Sequence, residues 1–216
     1  MLFFVLSGFV IAYAYDDRLG SGCLRPKDFV LTRLIRFYPL YFAGLMLGLT
    51  CEIVLLAVHH PIALPLQTLA AASFSGLVFM PWPVASRNDA LFPLNFPAWS
   101  LFYELAVNIV YAFMQRFLSI RVLISILFIS GVALIAVIVR AGSTDVGPTI
   151  NGVAAATVRT IFSFTFGLLI FRVRWQPKSL PVLVVLFGLG LAMAVPHLGG
   201  GGNAAYDIVF VLGISP

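Results

Sequence analysis

The sequence predicts an all-α fold, a polytopic transmembrane helical bundle, on three observations. Hydrophobic residues make up 61% of the 216 and charged residues only 10%, against about 25% charged in soluble domains. Mean hydropathy is +1.05. Apolar runs recur at 38–58, 98–114, 122–139, 152–171 and 180–196, each reaching about the length that crosses a bilayer. Residues 1–216 read as a single membrane domain, with no internal repeat and no soluble part.

Composition also excludes classes. The 20 phenylalanines suit a surface bathed in lipid. A net charge of +5 does not argue for a nucleic-acid partner, because Lys and Arg of a membrane protein collect in its cytoplasmic loops. Cys23 and Cys51 have neither metal-ligand nor redox spacing. No metal site is expected.

The chain opens MLFFVLSGFVIAYAY, fifteen uncharged residues that span only about 22 Å as a helix, short of the roughly 30 Å hydrocarbon core. Ala12-Tyr13-Ala14 imitates a signal-peptide cleavage site, but no basic residue precedes the run, as a signal peptide requires. The segment therefore reads as the end of a helix whose beginning lies before Met1. At the other end, GGGGNAAYDIVFVLGISP starts a further apolar segment and stops within it. Both ends read as cut.

Between these ends, orientation follows from the basic residues. Segment 16–37 carries Arg18, Arg25, Lys27, Arg33 and Arg36 and is expected to be cytoplasmic, so that 38–58 crosses outward. The stretch 68–83, TLAAASFSGLVFMPWP, is short and bounded by prolines. If it does not cross, Arg116, Arg121, Arg172, Arg174 and Lys178 join the first five inside, leaving only Arg87 and Arg140 outside. If it crosses, the split falls to seven against five. The first arrangement obeys the positive-inside rule far better, and 68–83 is expected to be re-entrant or interfacial.

Three motifs bear on chemistry. In RPKDFVLTRLIRFYPLY (25–41), Arg33 and Arg36 stand three apart on one face of a helix entering the membrane. Guanidinium forks there can grip phosphates; equally, Arg followed by Phe37, Tyr38 and Tyr41 makes an ordinary anchor and aromatic belt. In LNFPAWSLFYELAVNIVYAF (94–113), Ser100 and Glu104 lie i,i+4 beside Trp99 and Tyr103. A carboxylate inside an apolar span costs about 2.5–3.5 kcal/mol on insertion scales, so it faces the protein interior and marks a candidate acid or base. A structural hydrogen bond to a neighbouring helix is the alternative. The third motif holds Arg159, in NGVAAATVRTIFSFTFGLLIF (151–171). With Glu52 and Asp207, Glu104 and Arg159 make four ionisable groups expected to converge near one outer level. His59, His60 and His197 have no carboxylate at metal or triad spacing.

Taken together, these stretches resemble the acyltransferase-3 family, membrane enzymes that O-acylate cell-surface polysaccharides and related acceptors. LFFVLSGFVI (2–11) is similar to the family's FFxLSGF helix, RLIRFYPLY (33–41) to its RxxR-x-YP-x-Y signature, and PAWSLFYEL (97–105) to its WSLxxE helix. FTFGLLIF after Arg159 is similar to a later, weaker pattern. The order and spacing match along essentially the whole chain. The resemblance implies transfer of an acyl group, acetyl being the expected one, from acyl-CoA to a glycan or lipid-linked sugar hydroxyl, in a bacterial plasma membrane among its lipids. It implies acyl-CoA as donor substrate near Arg33 and Arg36, no bound cofactor, and catalytic roles for Glu104, Ser100 and Arg159. In the family, FFxLSGF lies in the second helix, and an Arg and a His, the implied base, lie in the first. Neither is present here, so the chain as it stands is expected to be inactive and poorly stable. A transporter or flippase, and a catalytically dead remnant, are the competing readings.

Overall fold

The computed structural model describes residues 2–141 and 147–173. Among these it forms six α-helices and no strand: α1 (Leu2–Gly20), α2 (Pro26–Ala57), α3 (Leu66–Leu77), α4 (Ala98–Met114), α5 (Ile120–Ala141) and α6 (Val153–Arg172). The all-α bundle predicted from hydropathy is what the chain adopts. By length and apolarity, 26–57, 120–140 and 150–172 suffice to cross a bilayer. The run at 180–196 lies outside the described residues. Of those described, 2–17, 116–141 and 158–173 form one unit, and 18–115 and 147–157 another.

In the first unit, α1 and α6 pack in parallel through two glycines. A Cβ on Gly8 would stand 2.3 Å from the Phe164 carbonyl oxygen, and one on Gly167 would stand 2.1 Å from that of Val5. Only residues without a side chain let two backbones approach so closely, the usual device of membrane helix pairs. Further along, Phe9 and Tyr13 meet the Phe171 ring edge-on at 6.1 and 6.3 Å. The pair closes where Arg172 donates to both carboxylate oxygens of Asp16, at 3.2 and 2.8 Å. α5 runs antiparallel to α6, burying Leu134 and Ile138 on Phe162, with Leu127 and Val158 packed against them. The other face of α5, with Phe128, Ile129, Val132 and Val139, is exposed. Such a face suits contact with lipid or with another apolar surface.

In the second unit, α2 is the frame. Pro26 starts it, where a missing N–H costs nothing, and Asp28 in the first turn favours the positive helix end. Its 32 residues extend about 48 Å, so the helix continues well past the apolar run at 38–58. His59, at φ 53°, ends it: the His60 N–H reaches back to the Leu55 carbonyl at 2.9 Å, a left-handed closing turn.

The chain then descends along α2 and returns. The Leu64 N–H donates to Glu52 at 3.2 Å, placing the start of α3 near the outer end of α2. The end of α3 lies eleven to fourteen residues lower, where Tyr41 donates to the Gly76 carbonyl at 2.7 Å and Tyr38 to that of Leu77 at 3.0 Å. Arg87 is then back at the top, bound to Glu52. At 12 residues, α3 is only about 18 Å long and does not span. The two tyrosines, with the Phe79 and Met80 N–H groups donating to Gly76 and Ser75, satisfy carbonyls that a helix end within a membrane cannot leave bare. Phe79 takes up φ 57° there, a strained conformation for a bulky residue, under the Tyr41 ring at 4.3 Å.

The return of Arg87 to Glu52 agrees with 68–83 not crossing. With Cys23 and Cys51 replaced by serine, an Arg116→Cys variant should react with a membrane-impermeant thiol reagent only after cells are opened. Labelling in intact cells would invert the orientation.

Candidate functional site

The site is built on α4, whose start lies deeper than a surface loop would put it. After Arg87, the chain sinks along α2 again. A Cβ on Gly48 would meet the Leu94 carbonyl oxygen at 1.7 Å, and one on Gly44 the Asn95 amide at 2.7 Å. The Asn95 amide also donates to the Tyr41 carbonyl at 3.1 Å, and the Ala98 N–H to the Asn95 carbonyl at 2.9 Å. α4 therefore begins beside Gly44, about 12 Å along α2 from Glu52. It runs antiparallel to α2 and ends where Gln115 lies against Gly20, 3.1 Å from a Cβ built there.

This geometry corrects the expectation that the ionisable groups share one outer level. Glu104 lies six residues into α4, about 9 Å beyond its start, and hence about 20 Å from Glu52. The expectation treated 84–97 as an outer loop, whereas Gly44 and Gly48 let it sink against α2. Glu52 is instead bound to Arg87, accepts the Leu64 N–H, and is 5% exposed. It is half of a structural ion pair. Asp207 lies outside the described residues.

The predicted residues are distributed as follows. Glu104 is buried, at 5% exposure. Ser100, one turn above it, is half-buried and donates to the Pro97 carbonyl at 3.0 Å. Trp99 and Phe102 meet the Tyr103 ring at 6.1 and 5.8 Å, and Tyr103 donates to the Val153 carbonyl at 3.3 Å, tying α4 to the start of α6. On α2, Arg33 is buried with its guanidinium over the Phe29 ring at 5.5 Å, whereas Arg36 is exposed. The two are not equivalent. Because helical side chains lean toward the N-terminus, Arg33 points to the inner end of α2. Arg159 is half-buried on α6.

Sequence reasoning missed Asn108 and the role of Tyr38 and Tyr41. Asn108 is fully buried and stands i+4 from Glu104 and i+8 from Ser100; that spacing was the available signal. The tyrosines of YPLY read as an aromatic belt, yet their hydroxyls hold the end of α3. Among the described residues, no group of three or more His, Cys, Asp or Glu is arranged to hold a metal ion.

The family described as "Acyltransferase domain" (acyltransferase-3) matches residues 1–215. A Rhizobium radiobacter protein, "Protein 2 in picA locus", is 39% identical over 143 residues, which are 62% of this chain and 73% of that relative. No solved structure matches.

Proposed function

The chain belongs to the acyltransferase-3 family and is a membrane acyltransferase, and from that premise we propose that it moves an acyl group, acetyl first of all, from acyl-CoA to a hydroxyl of a glycan or lipid-linked sugar. Arg33 and Arg36 take the donor's phosphates at the cytoplasmic end of α2. Glu104 takes the proton of the attacking hydroxyl, which Ser100 helps to place. Arg159 is kept as a site residue on the strength of its sequence motif alone. The observation that carries this reading is the burial of Glu104 in an apolar helix. Insertion scales set the cost of such a carboxylate at about 2.5–3.5 kcal/mol, which makes it a functional-site candidate by default.

Lysine at position 33 or 36 would keep the charge and lose the bidentate fork. Arg33→Lys is expected to weaken acyl-CoA binding at least tenfold, measured by calorimetry on the purified protein, with Arg36→Lys weaker by a smaller factor because it is exposed. Binding equal to the parent's in both would reduce the pair to topological anchors.

A further inference from the structure

Asn108 is a buried polar side chain that finds no hydrogen-bond partner among the described residues. It is 0% exposed, and among the described residues neither its Oδ1 nor its Nδ2 is hydrogen-bonded. Burying an amide without partners destabilises the folded chain, because the water bonds it gives up are not replaced. A core position would do better with leucine, so the amide needs another reason to be there.

Its place in the fold indicates the reason. Asn108 lies seven residues before Gln115, about 10 Å from the inner end of α4. Arg33 lies seven residues after Pro26, at a similar height on the antiparallel α2. The two side chains lean apart: Arg33 inward over Phe29, and Asn108 along α4 toward its start, where Glu104 is one turn away. From the inner side outward the order is therefore Arg33 guanidinium, Asn108 carboxamide, Glu104 carboxylate. A donor whose phosphates sit at the arginines would reach the carboxamide before the carboxylate.

We infer that Asn108 binds the thioester end of the donor, its Nδ2–H donating to the acyl carbonyl oxygen. This rests on the acyl-CoA reading above. In the transfer step the acceptor oxygen forms a bond to the carbonyl carbon while its proton passes to Glu104. The carbonyl electron pair moves onto oxygen, and the Asn108 N–H steadies that charge. Collapse breaks the carbon–sulfur bond; the thiolate leaves and takes up the proton. A carboxamide fixed in a dry site is suited to this, since an oxyanion donor that needs no reorganisation is typically worth about a hundred- to a thousand-fold in rate.

The test is Asn108→Leu, with Asn108→Ala beside it, in the full chain in nanodiscs. Transfer from labelled acetyl-CoA should fall by about a hundred- to a thousand-fold in kcat, with KM for the donor changed less than about threefold, and both variants should melt no lower than the parent. Turnover within threefold of the parent would overturn the assignment. So would melting several degrees lower, because the amide would then be supporting the fold. Acetyl-CoA binding, measured by calorimetry, separates the two readings. A parent that binds none overturns the donor reading. With a parent that binds but does not turn over, as expected without the family's first-helix His, Asn108→Leu should lose the preference for acetyl-CoA over CoA, and an unchanged preference overturns the assignment.

Discussion

Replacing Glu104 by glutamine is expected to lower acyl transfer by about a hundred- to ten-thousand-fold, the usual worth of general acid–base help. Glutamine keeps the shape and one acceptor oxygen but cannot take a proton. Its neutral amide is also cheaper to hold in an apolar helix than a carboxylate, so Glu104→Gln should express and melt at least as well as the parent. The decisive measurement is the initial rate from labelled acetyl-CoA to an oligosaccharide acceptor at matched protein. A Gln variant that turns over at the parental rate would remove the carboxylate from the chemistry and leave it as a packing group on α4.

The largest expected effect on stability comes from a single methyl group. At Gly48, an alanine Cβ would lie 1.7 Å from the Leu94 carbonyl oxygen and 2.7 Å from its carbon. Those are backbone atoms that no rotamer change can move. Either α2 and the 92–97 segment separate, or the packing strain reaches the upper end of overpacking costs, about 3 kcal/mol or more. Because α4 hangs from that segment through Asn95 and Ala98, transfer activity should fall together with the melting temperature. Gly131→Ala is the control. Its Cβ would meet only the Phe162 ring at 3.2 Å, a side chain able to shift, and alanine favours a helix by about 1 kcal/mol over glycine. If Gly48→Ala melted like Gly131→Ala, the close approach of Leu94 to α2 would be wrong.

Much of this fold was legible in the sequence because lipid imposes a simple rule, and the runs at 98–114, 122–139 and 152–171 became α4, α5 and α6 within two residues at each end. What hydropathy cannot report is a helix that continues after it leaves the apolar layer: 26–37 is charged, yet it is the first third of α2. Nor can it report depth. The 84–97 segment looks like a surface loop from its Arg87, Asn88 and Asp89, and it sinks because Gly44 and Gly48 leave a groove. That groove is written as two small residues four apart, a pattern common in membrane helices, and it names no partner. The same holds for the site. Ser100, Glu104, Arg33, Arg36 and Arg159 could be picked out as polar groups in apolar surroundings, whereas the Glu52–Arg87 pair depended on a chain reversal 35 residues long. The stretches that carried the family resemblance also have structural reasons: Gly8 of LSGF and Gly167 of FTFG are the two halves of one helix crossing.

That crossing bears on how the protein is made. Asp16 and Arg172 are separated by 156 residues, and at about 5–20 residues per second a ribosome needs about 8–30 s to travel from one to the other. Throughout that interval α1 is already synthesised, with Gly8 facing no backbone and Asp16 facing no arginine. It must rest in the translocation machinery, or against lipid with its carboxylate at the interface, until α6 arrives. Pairing of α1 is therefore timed by α6, and a ribosome stalled before residue 167 would leave α1 as a marginal, exposed segment for quality-control proteases to find.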